Sequence, residues 1–198
     1  MTRRGTRERR DAAAQPAGPA YITRRLPPYP VLDEDGLLRI ERAADRILAE
    51  VGVDIRDDPA ALALFRGAGA RVDGIRVRFE PGHLRELLRG APREFVQHAR
   101  NPARSVQIGG DAVVFAPAYG APFVMDLERG RRYGTLADFE NFVRLAQSSP
   151  WLHHSGGTLC EPTDIPVNKR HLDMVYAHIR YSDRPFMGSV TAEERAED

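Results

Sequence analysis

Apolar side chains recur along the first half of the chain at the three- and four-residue spacing of amphipathic helices. The first stripe predicts a helix that Asp33 caps and Gly52 ends. A second predicted helix starts at Asp57 or Asp58 with Pro59 in its first turn, and a third surrounds residues 84–88. The stripe of the first helix, which we expect to face the core, comprises Leu37, Ile40, Ala44, Ile47, Leu48 and Val51.

The pattern then changes to short apolar runs separated by turn residues, which is typical of strands. After a first short strand over 75–79, strands are predicted over 95–98, 105–108, 112–115, 123–127 and 131–133. Thr135 and Asp138 form an approximate capping box that starts a helix. Further along, the pattern predicts a strand over 152–159, a helix over 169–181, a strand over 185–190, and a new helix capped by Thr191.

This alternation of strands and helices is the signature of parallel βα units. The predicted fold class is therefore α/β: an incomplete (β/α)8 barrel preceded by an N-terminal region of helices and antiparallel strands. A closed barrel needs eight strands and about 250 residues, so we expect this chain to be a fragment of one. The predicted boundaries are an arm over 1–25, an accessory α+β region over 26–110, and the first part of the barrel over 111–198.

Residues 1–25 are rich in Arg, Ala, Pro and Gly, which predicts a disordered arm, with a nucleic-acid tether as the alternative. The whole chain of 198 residues has 29 basic and 28 acidic side chains, and this balance argues against nucleic-acid or membrane partners. Cys160 is its single cysteine, which favours a cytoplasmic protein.

From residue 113 onward, short motifs in a fixed order resemble the trimethylamine methyltransferase family. The run 113–120 with Asp126 resembles the first barrel strand of that family, and the resemblance extends over about residues 24–192. The other motifs that carry it lie at 47–53, 67–70, 135–139, 153–158, 160–162, 164–166, 171–174 and 184–188.

The resemblance implies methyl transfer from a methylated amine, either trimethylamine or a quaternary amine such as glycine betaine, to a corrinoid protein. The corrinoid would be carried by that partner and not bound by this chain. The family resemblance also implies a homo-oligomer at full length, whereas the isolated chain is expected to show no turnover. Two alternatives stay open: a non-catalytic module that binds subunits or the corrinoid protein, and another (β/α)8 enzyme.

Candidate site residues follow from topology, because the active face of a (β/α)8 barrel lies at the carboxyl ends of its strands. Those ends are predicted at 116–120, 158–161 and 189–191. Tyr119 offers an aromatic face to a methylated cation, or else packs within a turn. Glu161 offers a negative charge, or else is a solvated loop carboxylate. One of the histidines at 153 and 154 is expected to line the barrel, and His153 is the third substrate-binding candidate.

The remaining histidines and the cysteine do not predict a metal site. His153 and His154 are adjacent on a predicted strand and would point to opposite faces. His171 and His178 lie two helical turns apart, too far to share one ion unaided. Cys160 lacks any evident activating group and is interpreted as a packed thiol.

Overall fold

The computed structural model describes residues 18–188, 192 and 194–197. The predicted arm lies mostly outside these residues, as do the strand positions 189–190 and the cap Thr191. The described chain divides into two compact units, one of residues 26–93 and one of residues 18–25 together with those from 94 onward.

The secondary structure is mixed α/β, and short strands are interspersed with longer helices. In chain order the elements are β1 (Ile22–Thr23), α1 (Glu34–Arg46), a π-helical turn (Ile47–Val51), β2 (Val53–Asp54), α2 (Pro59–Gly67), β3 (Arg71–Asp73), β4 (Arg76–Arg78), α3 (His83–Leu88), β5 (Glu94–Gln97), a 3-10 turn (Pro102–Arg104), β6 (Val106–Gly109), β7 (Ala112–Val113), β8 (Phe123–Asp126), β9 (Gly130–Tyr133), α4 (Leu136–Ser148), α5 (Arg170–Tyr181) and α6 (Glu194–Glu197). None of the described helices is long and apolar enough to cross a membrane.

The unit of residues 26–93 is built on a three-stranded antiparallel sheet in the order β2-β4-β3. Val77, in the central strand, is paired with Val53 on one side and Val72 on the other. Its small core consists of buried Ala70, Val77 and Phe79. Phe65 from α2 meets Phe79 edge to face, with ring centroids 5.8 Å apart.

The helix boundaries of this unit follow the local signals in the sequence. The Asp33 carboxylate accepts a hydrogen bond from the Gly36 amide at 2.7 Å and caps α1. Asp58 likewise caps α2 through the Ala61 amide at 2.8 Å. Gly52 ends the helical run with a φ of 75°, a conformation that glycine adopts without steric cost. These predicted helices are confirmed.

The burial of the α1 stripe, however, was predicted wrongly. Leu37, Ile40, Ile47 and Val51 are each more than half exposed. The side chain that α1 and its π-helical extension give to the core is Leu48. A stripe shows which side of a helix is apolar, but of this stripe only Leu48 packs against the core of the unit.

In the described residues of the other unit, antiparallel pairing occurs in three two-stranded ladders: β1 with β7, β5 with β6, and β8 with β9. The main core of this unit lies beside α4 and α5. It comprises Val124, Phe139, Val143, Leu159, Cys160, Met174 and Ala177. The two helices contribute to this core through their apolar faces. Phe139 and Val143 of α4, and Met174 and Ala177 of α5, lie at helical spacing and so share one face of each helix.

The start of α4 is fixed by the predicted capping box, which is confirmed. The Thr135 hydroxyl accepts from the Asp138 amide at 3.3 Å, and the Asp138 carboxylate accepts from the Thr135 amide at 2.9 Å. Arg132, on β9, donates to the same carboxylate at 2.5 and 2.7 Å. These contacts hold the pKa of Asp138 well below its usual range. The hairpin and the helix are thereby joined at one point.

The strands predicted over 152–159 and 185–190 do not form regular ladders in the described part of the chain. Irregular segments occupy 153–161 and 185–187 instead, the first with several bends, and scattered backbone hydrogen bonds join them to each other and to segment 115–121. They link the His153 amide to the Phe115 carbonyl (2.8 Å), Gly120 to Thr158 (2.7 Å), Glu161 to Ala121 (3.0 Å), Ser155 to Pro185 (2.9 Å) and Met187 to Gly156 (2.9 Å).

The partners in these bonds advance together along the segments, which is the sense of parallel pairing. Three local features keep these segments from forming regular ladders. The Phe115 amide donates to the His153 ring instead of to a backbone carbonyl. Gly156 takes a φ of 96°, outside the range of regular strands, and Pro117 and Pro185 have no N–H to donate.

Candidate functional site

The carboxyl ends of segments 115–121 and 153–161 lie side by side. The Gly120 amide donates to the Thr158 carbonyl at 2.7 Å, and the Glu161 amide donates to the Ala121 carbonyl at 3.0 Å. Tyr119, which precedes Gly120, has 54% of its side chain exposed. Two of the predicted site residues, Tyr119 and Glu161, thus lie near the carboxyl ends of two neighbouring segments.

The Glu161 carboxylate forms an ion pair with Arg170, the first residue of α5, at 2.8 Å. The Arg170 side chain is 17% exposed and that of Glu161 is 36% exposed. The Nε atom of Arg170 is buried without a hydrogen-bond partner among the described residues. Glu161 and Arg170 therefore form a charge-compensated pair at this end of the segment.

His153, the third predicted residue, occupies the amino end of its segment and stacks on Phe115 with ring centroids 5.6 Å apart. Its Nδ1 accepts the Phe115 amide at 2.9 Å, so the neutral ring carries its proton on Nε2. Burial, with Arg184 nearby, lowers the pKa of His153. The structure therefore places His153 against the first segment, away from the end that holds Glu161.

His154 lines a small cavity of about 180 Å³ together with Val114, Ala116 and Met187. Its Nδ1 accepts the Gly156 amide at 2.9 Å. Burial, followed by the nearby His178 ring, lowers the pKa of His154 to about 4. Of the two adjacent histidines, His154 is the one that lines this cavity.

A second buried histidine ties α5 to the middle segment. His178 Nε2 donates to the Gly157 carbonyl at 3.0 Å, and its Nδ1 accepts from the Ser155 hydroxyl at 2.9 Å. Ser155 is fully buried, so this serine–histidine contact joins two elements and offers no open nucleophile. Burial also lowers the pKa of His178.

The other candidate features, which are Cys160, possible metal ligands and the apolar cavity beside α4, offer no reactive group among the described residues. Burial raises the pKa of the Cys160 thiol to about 11, which leaves it protonated. Among the described residues, no group of three or more His, Cys, Asp or Glu side chains is arranged to hold a metal ion. A cavity of about 390 Å³ lies beside α4 and is lined by residues with apolar side chains, among them Pro117, Phe142 and Leu159.

Arg170 is a site residue that the sequence did not predict. It begins a helix after a proline-containing loop, and no spacing rule links such a position to a carboxylate nine residues earlier. The sequence predicted that one of the two adjacent histidines faces the interior, and the structure shows that His154 lines a cavity.

Fold and site together define a class: a mixed α/β protein whose irregular segments alternate with helices and end beside a charged pair. Residues 2–198 match the sequence profile of the family described as trimethylamine methyltransferase (MTTB), and the chain belongs to this family.

Two curated relatives are similar to this chain. The glycine betaine methyltransferase of Desulfitobacterium hafniense (strain Y51) is 48% identical over 173 residues, which cover 87% of this chain and 36% of the relative. The proline betaine:corrinoid methyltransferase of Eubacterium limosum is 27% identical over 176 residues, covering 86% of this chain and 35% of the relative. The chain thus spans about a third of the length of these relatives.

Proposed function

We propose that this chain takes part in moving a methyl group from a betaine to a corrinoid carried by a separate protein. The observation that carries the proposal is the 48% identity to a glycine betaine methyltransferase over 87% of the chain. The second relative is also named for a betaine, which favours a quaternary amine over trimethylamine as the substrate.

We propose further that residues 111–198 contribute the first βα units of a (β/α)8 barrel, after an accessory region over 26–110. The hydrogen bonds among segments 115–121, 153–161 and 185–187 support this, because their partners advance in the parallel sense with α4 and α5 between them. The substrate would then sit at the carboxyl ends of these segments.

At that end, Tyr119 and Glu161 are assigned to the quaternary ammonium and Arg170 to the carboxylate of the betaine. An aromatic face stabilises such a cation by roughly 0.5–2 kcal/mol, depending on desolvation. Glu161 and Arg170 already form an ion pair at 2.8 Å, and together they carry no net charge. A zwitterion, which also has no net charge, can therefore bind to both side chains without adding net charge to the site. His153, which is buried against Phe115, is assigned to holding the first two segments together.

For this reaction the protein mainly has to position the substrate. The methyl group leaves nitrogen without its bonding electrons, which stay on nitrogen as the lone pair of a tertiary amine. The corrinoid of the partner protein supplies the nucleophile when it docks. Residues of this chain would orient the N–CH3 bond in line with that approach.

A chimera tests the function directly: this chain replaces the matching third of the Desulfitobacterium enzyme. Betaine-dependent methylation of the cognate corrinoid protein is followed by absorbance, with glycine betaine, proline betaine and trimethylamine as substrates. Activity with a betaine and little with trimethylamine is the expected result. A folded chimera without activity would instead support a non-catalytic binding module.

Two substitutions in the chimera test the site. Tyr119→Leu and Glu161→Gln are each expected to raise KM by about 2- to 30-fold, the range that corresponds to a cation contact. Tyr176→Leu and Glu128→Gln are matched controls, because Tyr176 has nearly the same exposure as Tyr119 and Glu128 is a surface carboxylate. Unchanged KM values would remove Tyr119 and Glu161 from the site.

A further inference from the structure

Three buried histidines lie on or beside segment 153–161, and they differ in which ring atoms are still free to bind. Both ring nitrogens of His178 form hydrogen bonds. The Nε2 atom of His153 has no partner among the described residues and is enclosed by protein. The Nε2 atom of His154 also forms no hydrogen bond within the described chain, but it is still accessible, although the residue is only 4% exposed. His154 thus has an unused polar atom that a small molecule can reach.

This atom is a hydrogen-bond donor at the wall of the cavity of about 180 Å³ that His154 lines. Because Nδ1 accepts the Gly156 amide, the neutral ring carries its proton on Nε2. The pKa of His154, which burial lowers to about 4, keeps the ring neutral near pH 7.

Gln97 supplies an acceptor to the same cavity. Its amide nitrogen donates to the Phe186 carbonyl at 3.1 Å, which fixes the orientation of the amide group. Its Oε1 atom accepts no hydrogen bond from any of the described residues. The cavity therefore offers one donor, on His154, and one acceptor, on Gln97.

The rest of the cavity wall disfavours a charged ligand. Its other described residues have apolar side chains: Ile108, Val114, Ala116 and Met187. An ion placed among them would lose water without gaining an opposite charge. The volume of 180 Å³ equals that of about six water molecules at roughly 30 Å³ each, which leaves room for a small organic molecule.

We propose that this cavity binds a small uncharged molecule that has both an acceptor and a donor, with the primary amide as the simplest member of this class. The carbonyl of the ligand accepts from His154, its amide nitrogen donates to Gln97, and its alkyl part contacts Val114 and Met187. A primary amide matches the cavity better than an alcohol does, because its donor and its acceptor are separate atoms. The site is independent of the proposed betaine site, which relies on charged side chains, so its failure would leave the proposed function untouched.

An NMR titration of the full chain with acetamide tests the proposal. Isotope-labelled histidine rings report on Nε2 of His154, and labelled methionine methyl groups report on Met187. The expected result is a saturable shift of both signals, with a dissociation constant in the millimolar range, as is usual for so small a ligand. His178, whose ring nitrogens are both bonded, and Met174, which lies in the main core, are the reference signals and are expected to shift little.

Acetate and two substitutions test whether the two polar groups recognise the ligand. Acetate has the shape of acetamide but carries a negative charge, and we expect it to give no saturable shift. His154→Phe and Gln97→Met each remove one hydrogen bond to the ligand and are expected to weaken acetamide binding about 2- to 10-fold, as read from Met187. Gln107→Met, on the paired strand β6, is the matched control, because Gln107 bonds to the exposed Glu94 instead. Circular dichroism checks that every variant is folded.

Three results would overturn the proposal. No saturable shift with acetamide would mean that the cavity holds only water. Acetate binding as tightly as acetamide would mean that the cavity does not select an uncharged ligand. Unchanged acetamide binding in both His154→Phe and Gln97→Met would remove these two side chains from the site. The first two results come from the unaltered chain, so they decide the question even where a variant does not fold.

Discussion

Arg184 is the buried side chain whose loss is expected to cost this fold the most. The residue is only 3% exposed, and its guanidinium lies at the carboxyl end of α4. It donates to the carbonyls of Ala146 (2.9 Å), Gln147 (3.1 Å) and Ser149 (2.5 Å), and also to that of Leu152. One cation thus satisfies carbonyls that a helix end leaves without partners.

Arg184→Met keeps much of the volume but removes every donor. A buried carbonyl left unpaired costs about 1–3 kcal/mol, and water can reach some of these carbonyls through the loop at 149–152. The expected loss is therefore about 3–5 kcal/mol of unfolding free energy, the range seen when one partner of a buried charged network is removed. Arg184→Lys, which keeps the charge but not the fork of donors, is expected to lose less.

Urea unfolding followed by circular dichroism measures this loss. With a slope of about 2 kcal/mol per molar urea, Arg184→Met is expected to lower the midpoint by about 1.5–2.5 M. Arg180→Met, an exposed arginine of the same unit, is the control and is expected to shift it by less than about 0.5 M. A shift for Arg184→Met no larger than that of the control would refute the assignment of Arg184 as the cap of α4.

Further predictions concern pH, reactivity and capping. The pKa of His154 is about 4 in the folded chain against 6.5 ordinarily, so the unfolded state takes up the extra proton between these values. The free energy of unfolding is thus expected to be highest above pH 6.5 and to fall by up to about 3 kcal/mol toward pH 4. His178 acts in the same direction. His154→Gln is expected to reduce the dependence of the unfolding free energy on pH. Cys160 is expected to react with thiol reagents only after denaturant is added, because it is buried and protonated. Thr135→Ala is expected to lower the unfolding free energy by about 1 kcal/mol through loss of the capping box.

Each of these expectations has a contrary result. A flat stability profile between pH 4 and 6.5 would mean that His154 is not held neutral by burial. Rapid modification of Cys160 in the native chain would contradict its burial. An unchanged urea midpoint for Thr135→Ala would show that the bonds of Asp138 to Arg132 suffice to start α4.

Local signals in the sequence predicted the helix starts because a cap and its amide lie three residues apart. Asp33, Asp58 and Thr135 each accept from the amide predicted by that rule. The strands over 123–127 and 131–133 were also predicted, and in the structure β8 and β9 pair there as a hairpin. These features depend on neighbours in the chain and not on the rest of the fold.

What the sequence did not predict depends on distant partners. The apolar stripe of α1 identified an apolar face, but no pattern tells whether that face meets the core or another molecule. The strands over 152–159 and 185–190 were expected as regular ladders, yet the His153 ring takes up a backbone amide that a ladder would use. The Glu161–Arg170 pair joins a loop to the next helix, a contact without a sequence period.

The structure of the chimera with glycine betaine bound tests the proposed site most directly. We expect the trimethylammonium group to lie within about 6 Å of the Tyr119 ring and beside Glu161, with the betaine carboxylate toward Arg170. A betaine bound away from the ends of segments 115–121 and 153–161, or those segments lying apart, would contradict it.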